Sequence, residues 1–171
     1  MIKKLLISSL MALVLVSCAG YQVGNMGHPQ IKRVSVGKIK NLSDEPRLAL
    51  IVMDKLKEAI RQDGTYELVN AGEGRADAII QGSLPQFSYS KVGFSANDDD
   101  DKKYRVDNYR ATVKFTYEVV TPKNLLIQKF TMTGNGDFSD GVSIEQNRRE
   151  GLERASYSMA TKVVTQLAEG W

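Results

Sequence analysis

Side chains that commonly carry catalysis are scarce in this chain. Its 171 residues include one histidine, His28, and one cysteine, Cys18. His28 lies in a polar, glycine-containing stretch, so a Ser-His-Asp or Cys-His arrangement has little to be built from. A zinc site would draw on several His or Cys ligands, and no glycine-rich loop carries the Lys-Ser/Thr ending that holds phosphate. We therefore predict a binding or assembly module with no catalytic residue, metal or cofactor.

The one reactive position is Cys18, at the end of an N-terminal leader. A basic start is followed by an apolar stretch from Leu5 to Val16, shorter than the roughly 20 residues of a membrane-spanning helix. Its length is that of a secretory signal peptide. The ending Leu15-Val16-Ser17-Cys18 resembles the lipobox cut by the lipoprotein signal peptidase, which implies a lipid thioether on Cys18 and an acylated amino group. An ordinary signal peptide with a chance cysteine is the alternative.

The leader and the residues after it predict where the mature protein works. We expect residues 1–17 to be removed and residues 18–30 to form a lipidated, polar tether. Because two or more acyl chains anchor a protein stably, the mature chain should stay on a membrane. Ala19 is not the aspartate that retains many enterobacterial lipoproteins in the inner membrane, so we predict the outer membrane, facing the periplasm. The tether spans at most about 40 Å, which favours a partner in the same membrane.

Composition limits the remaining classes. Removing residues 1–17 takes away Lys3 and Lys4, so the formal charge falls from +3 to +1. Nothing suggests the concentrated basic face of a nucleic-acid binder. The 154 residues that remain suit one domain, which we place at residues 31–171. With no second cysteine, that domain has no disulfide and depends on its core.

Hydrophobic periodicity predicts seven elements in the order β-α-β-β-β-β-α. The expected fold is α+β, a two-layer sandwich with two helices on one face of a mostly antiparallel sheet. Pro85 removes a hydrogen-bond donor, so its strand should lie at an edge or bulge there. We expect a capping oxygen just before Pro46, and Gly134 and Gly136 should loosen the end of their strand. The predicted strands cover residues 31–39, 66–69, 78–89, 109–119 and 125–138, and the helices residues 46–63 and 143–168.

One strand of the hairpin around residues 121–124 has a polar side. Residues from Tyr109 to Val119 alternate between apolar and polar types. The polar set is Arg110, Thr112, Lys114, Thr116 and Glu118. Such a face is either wet or covered by a partner.

An acidic run, Asp98 to Asp101, precedes Lys102 and Lys103. Four adjacent carboxylates repel one another, so a solvated loop is the plainer interpretation. Calcium binding is the alternative, although the run lacks the glycine and the final glutamate of an EF-hand loop.

Taken in order, several segments resemble the family of the LPS-assembly lipoprotein LptE. The resemblance runs from Cys18 to about Leu167. It rests on the strand order and on these motifs: the opening Cys18-Ala19-Gly20-Tyr21, the strand entry Ala76-Asp77-Ala78-Ile79-Ile80, the Tyr109 strand with its partner, and a helix beginning Glu145-Gln146-Asn147 and carrying Arg154-Ala155.

The resemblance implies a function without catalysis. Members of this family plug the outer-membrane β-barrel LptD, assist its folding and bind lipopolysaccharide on its way to the cell surface. Two other classes stay open: an outer-membrane lipoprotein that activates a cell-wall synthase or another envelope-assembly complex, and a periplasmic enzyme.

The resemblance also implies ligand-binding residues. In the family, basic residues just before the central long strand contact lipopolysaccharide, and the matching positions are Lys102, Lys103 and Arg105. A second basic position, in the loop before the last helix, has no counterpart between Phe138 and Arg148. From the polar sheet face we add Arg110, Lys114 and Lys129, because cationic side chains bind phosphate by charge-assisted hydrogen bonds. The alternative is that these three are solvated charges on strands.

Overall fold

Five strands and two helices follow one another in the predicted order. A computed structural model describes residues 30–94, 107–139 and 143–169. Cys18, His28, the acidic run and the candidates Lys102, Lys103 and Arg105 lie outside these ranges. The elements are β1 (Arg33–Asn41), α1 (Leu48–Asp63), β2 (Glu67–Leu68), β3 (Ala78–Phe94), β4 (Asp107–Val120), β5 (Leu126–Ser139) and α2 (Ile144–Glu169).

The five strands form one mixed sheet in the order β2-β1-β3-β4-β5. The long strands β3, β4 and β5 pair antiparallel, which confirms the mostly antiparallel sheet that the sequence predicts. β1 runs parallel to both of its neighbours. Parallel neighbours need a crossover connection, and α1 supplies it between β1 and β2.

Pro85 marks a change in the surroundings of β3. The pairing with β4 shifts register between Ser83 and Gln86, so the predicted bulge is present. β1 ends where Asn41 lies opposite Leu84. Beyond that point β3 is an edge strand of the described sheet, so the missing amide hydrogen of Pro85 breaks no ladder to β1.

The core lies between the sheet and the two helices. Alternate residues of β4 are fully buried, as the pattern predicts: Ala111, Val113, Phe115, Tyr117 and Val119. The apolar stripe of α2 packs on β4 and β5, and that of α1 packs on β1, β2 and α2. These stripes are Leu48, Val52, Leu56, Ala59 and Ile60 on α1, and Leu152, Ala155, Met159, Val163, Val164 and Leu167 on α2.

Two glycines of β5 set how closely α2 approaches the sheet. A Cβ on Gly134 would overlap the carbonyl oxygen of Ala155, and one on Gly136 would overlap the carbonyl oxygen of Gly151. The expectation that these glycines loosen the strand is therefore wrong. Both are buried, and they let the helix backbone rest directly on the strand.

The start of α1 also differs from the expectation of a side-chain cap. The N-cap residue is Arg47, and its side chain makes no capping hydrogen bond. Instead, Asn41 orders the loop before it: its amide nitrogen donates to the Glu45 carbonyl oxygen at 2.7 Å, and its Oδ1 accepts from the Ser43 hydroxyl at 2.8 Å. The helix ends as predicted at Gly64, whose φ of 73° is left-handed.

Asp77 fastens the first residues of β1 to the start of β3. Its carboxylate accepts hydrogen bonds from the backbone N–H groups of Lys32 at 3.1 Å and Arg33 at 2.9 Å, and from the Arg33 guanidinium at 2.8 Å. These bonds lower the pKa of Asp77 to about 2, and the bond from the Arg33 side chain has the largest effect. The Asp77 carboxylate is therefore ionised at neutral pH. Asp77 belongs to one of the motifs that carry the resemblance, and its role there is structural.

Candidate functional site

The side of β4 and β5 that faces away from both helices is polar throughout. We call this surface the outer sheet face. Its members are exposed or half-buried, so the prediction that this face is polar and lies outside the core of the chain is confirmed. They are Arg110, Thr112, Lys114, Thr116 and Glu118 on β4, and Lys129, Thr131, Thr133, Asn135 and Asp137 on β5.

These residues form five cross-strand pairs, and side-chain hydrogen bonds close four of them. Ion pairs lie at the two ends, and a threonine–asparagine and a threonine–threonine pair lie between. The distances are 2.7 and 2.9 Å for Arg110–Asp137, 3.1 Å for Thr112–Asn135, 3.0 Å for Thr116–Thr131 and 2.8 Å for Glu118–Lys129. The outer sheet face is therefore ordered by its own bonds.

Lys114 is the exception. It lies opposite Thr133 in the middle pair and is exposed. Among the described residues, its ammonium group has no hydrogen bond or ion pair. Lys114 is thus the basic group of this face that is available to an anion.

The structure does not bring Arg110, Lys114 and Lys129 into one site. Arg110 and Glu118, the partner of Lys129, are eight residues apart on β4, or about 27 Å. Arg110 and Lys129 already have carboxylate partners, and the Arg110 guanidinium lowers the pKa of Asp137. A phosphate group would have to displace those partners, so these two residues are weaker candidates than Lys114.

A cluster of basic residues lies at the end of the domain where β3 stops and β4 begins. Arg154 donates a hydrogen bond to the carbonyl oxygen of Asp137 and lies 3.7 Å from Glu150. The guanidinium of Arg148 lies 4.7 Å from the centre of the Tyr89 ring. With Arg110 they form what we call the arginine end. Lys102, Lys103 and Arg105 belong to the segment that joins β3 to β4 at this end.

Arg148 and Arg154 were not among the predicted ligand-binding residues, because the family resemblance places the second basic position in the loop before α2. Both residues lie within the first three turns of the helix instead. Their carboxylate partners, Glu145 and Glu150, are three and four residues away on the same helix. The available signal was the pairing of each arginine with an acidic residue at helical spacing, together with the helix start at this end of the sheet.

Three further features of the described residues concern other functions: the grouping of metal ligands, a buried tyrosine, and whether a helix is long enough to cross a membrane. In residues 30–94, 107–139 and 143–169, no three His, Cys, Asp or Glu side chains are grouped to hold a metal ion. The calcium alternative at Asp98 to Asp101 lies outside those ranges. Burial raises the pKa of Tyr117 to about 12, so its hydroxyl stays protonated near neutral pH. Neither of the described helices is both long and apolar enough to cross a membrane.

A family model decides the class of the protein. The model of LptE, described as lipopolysaccharide-assembly, matches residues 31–167. The chain belongs to the LptE family. Membership confirms the resemblance seen in the sequence and the prediction of an envelope lipoprotein. Among curated proteins, no sequence matches this LptE-family chain.

Solved structures share the fold of this LptE-family chain at low sequence identity. The PelC dodecamer from Paraburkholderia phytofirmans has 18% identity and a TM-score of 0.56, over 86% of this chain and 96% of the other. The hypothetical protein CT253 from Chlamydia trachomatis has 8% identity and a TM-score of 0.53, over 80% and 95%. A minor lipoprotein from Acinetobacter baumannii has 11% identity and a TM-score of 0.50, over 80% and 92%. At these identities the similarity establishes the fold alone.

Proposed function

We propose that this protein is a non-enzymatic outer-membrane lipoprotein that plugs an LptD-like β-barrel and assists lipopolysaccharide transport to the cell surface. The observation that carries the proposal is the outer sheet face. Neither helix covers it, and every member on β4 and β5 is polar. The family match supplies the class of partner.

The physical properties of this face suit a barrel lumen. The lumen of an outer-membrane barrel is lined by polar side chains, so an apolar docking surface would be mismatched there. The hydrogen-bonded pairs, such as Thr116 with Thr131, hold the side chains before any partner arrives. Less side-chain entropy is then lost on binding than for a face of free side chains.

Site-specific photo-crosslinking tests the barrel contact. A photoreactive residue replacing Thr116 should give an adduct with a large outer-membrane barrel in intact cells, because this position lies within the outer sheet face, next to its middle pair. The same residue replacing Asp54, exposed on α1, reports on the opposite layer. Adducts from both positions would mean that the barrel surrounds the domain and would support a plug. An adduct from Asp54 alone, or from neither position, would refute the proposed contact.

For the lipopolysaccharide ligand, we infer that Lys114 contributes a phosphate contact from the outer sheet face. Lys102, Lys103 and Arg105 remain the candidates that the family resemblance supplies. At the arginine end, each described guanidinium is held by a carboxylate or a carbonyl oxygen. Among the described residues, no carboxylate or carbonyl oxygen is bonded to the Lys114 ammonium group. Lys114 is therefore the strongest candidate for a phosphate contact on the outer sheet face.

Replacing Lys114 by glutamine should weaken lipopolysaccharide binding about five- to tenfold at low salt, because one charge-assisted hydrogen bond is lost. The matched control is Lys129→Gln, which removes the same charge from a lysine already paired with Glu118. Binding is measured by fluorescence titration of the purified lipoprotein. Equal losses from both variants would mean a general charge effect and would remove Lys114 from the site. Neutralising Lys102, Lys103 and Arg105 together tests the other candidates in the same assay.

The second candidate function is membership of another envelope-assembly complex, such as one that activates a cell-wall synthase. The shared fold makes it a candidate, since the PelC structure with this fold is a dodecamer. Native mass spectrometry of the detergent-extracted protein separates the two. A one-to-one complex with a barrel supports the plug, and a homo-oligomer of this chain alone supports the second candidate.

A further inference from the structure

The tip of the β4–β5 hairpin has two leucines that the described structure leaves mostly exposed. Leu125 and Leu126 are 63% and 59% exposed. Contiguous exposed apolar patches are often surfaces that contact something less polar, and these two leucines are adjacent. The feature lies outside the outer sheet face and outside the arginine end.

The turn holds these leucines in place. The Thr121 N–H donates to the Leu125 carbonyl oxygen at 2.9 Å, and the Thr121 hydroxyl accepts from the Leu125 N–H at 3.1 Å. Asn124 has a φ of 60°, a left-handed conformation that Asn adopts more readily than most residues. The leucines are therefore presented by an ordered turn, and their exposure is a property of the fold.

The chain that leads to the predicted lipid anchor enters the domain at this same end. Gln30 and Ile31, the first described residues, line a pocket of about 500 Å³ together with Lys123, Leu125 and Ile127. Upstream of Gln30, twelve residues lead back to Cys18. The arginine end lies at the other end of β4, about 45 Å away along a 14-residue strand. Of the two ends, the hairpin tip is the one that lies beside Gln30, where the predicted tether joins the domain.

We propose that the hairpin tip, residues 121–127, contacts the phospholipid surface that holds the lipid anchor. Leucines enter the boundary between headgroups and acyl chains, and a nearby cation favours anionic headgroups. Lys123 is the exposed cation of the tip, and residues 121–127 contain no Asp or Glu. The proposal goes beyond the proposed function, because it concerns the bilayer and needs no barrel. It rests on lipidation at Cys18.

Depth-dependent fluorescence quenching tests this contact. Lipidation occupies the thiol of Cys18, so a cysteine placed at position 125 can be labelled alone with an environment-sensitive dye. The lipidated Leu125→Cys protein is reconstituted into vesicles of phosphatidylethanolamine and phosphatidylglycerol, with lipids brominated near the headgroup. The matched control is Leu50→Cys on α1, where the leucine is 65% exposed. We expect at least twofold stronger quenching at position 125, together with a blue shift of the dye.

Equal quenching at positions 125 and 50 would overturn the proposal, and so would quenching at position 125 that requires an added barrel. A second measurement does not depend on a label. The soluble Cys18→Ser protein, made behind an ordinary cleavable signal peptide, is cosedimented with the same vesicles. Replacing Leu125 and Leu126 by aspartate should lower its partitioning about tenfold, whereas Leu50→Asp should leave it unchanged. An unchanged partition for the double variant would also overturn the proposal.

Discussion

Replacing Gly136 by alanine is expected to destabilise the domain by about 3 kcal/mol, the upper part of the range for overpacking a core. The added methyl group would lie 2.5 Å from the backbone nitrogen of Ala155 and still closer to the carbonyl oxygen of Gly151. Both obstacles are backbone atoms of α2, so no side chain can rotate away to make room. The helix would have to move off β5, which would disturb the packing of Phe138 against Gly151. Urea unfolding followed by circular dichroism measures the change.

Gly93→Ala is the matched control for this prediction. Gly93 lies in β3, and a Cβ built there meets nothing within 4 Å. The same substitution at an open strand position should be neutral or stabilise by up to about 1 kcal/mol, because alanine restricts the unfolded chain. We expect the melting temperature of Gly136→Ala to fall by about 10 °C relative to Gly93→Ala. Similar melting temperatures for the two variants would contradict the close approach of α2 to β5.

The spacing of apolar residues predicted most of this fold, because the buried face of each long strand and helix is marked by apolar residues at regular intervals. The alternation along β4 and the apolar stripe of α2 are both present in the sequence. Every residue of those sets is buried except Tyr109, which is half-buried. The parallel pairing of β1 could not be predicted in the same way. Strand direction depends on where the chain returns after α1, and single residues do not carry that information. The role of Gly134 and Gly136 was misjudged for a related reason, since a glycine that loosens a strand and one that admits a helix look identical in sequence.

The candidate site, like the fold, could be predicted only in part. The polar members of the outer sheet face could be assigned from alternation alone, because residues two apart on a strand share a face. Which basic residue is free could not be assigned. That depends on the residue across the strand, and the register placing Asp137 beside Arg110 and Thr133 beside Lys114 is set by the hairpin turn. Arg148 and Arg154 reach the arginine end only through the docking of α2, a contact between distant parts of the chain.

Replacing Cys18 by serine is expected to move the protein from the membrane fraction to the soluble fraction almost completely. Each buried methylene group of an acyl chain contributes about 0.8 kcal/mol to membrane binding, so losing all the acyl chains outweighs any contact made by the folded domain. The variant is produced behind an ordinary cleavable signal peptide, since the native leader would stay uncut on a serine and act as an anchor itself. It is expressed in excess over the barrel, so that binding to the barrel does not retain it.

The control for the cysteine substitution is the native leader with Cys18 intact, fractionated in parallel and analysed by intact mass. Its mass should exceed that of residues 18–171 by the acyl and glyceryl groups, whereas the variant should have the mass of the bare chain. Variant protein that still needs detergent for extraction, or native protein without added lipid, would refute lipidation at Cys18. Either result would also remove the reason for placing the hairpin tip at the bilayer, because the tether would then end in no anchor. The proposed barrel contact of the outer sheet face would not be affected, because the crosslink at position 116 tests it independently.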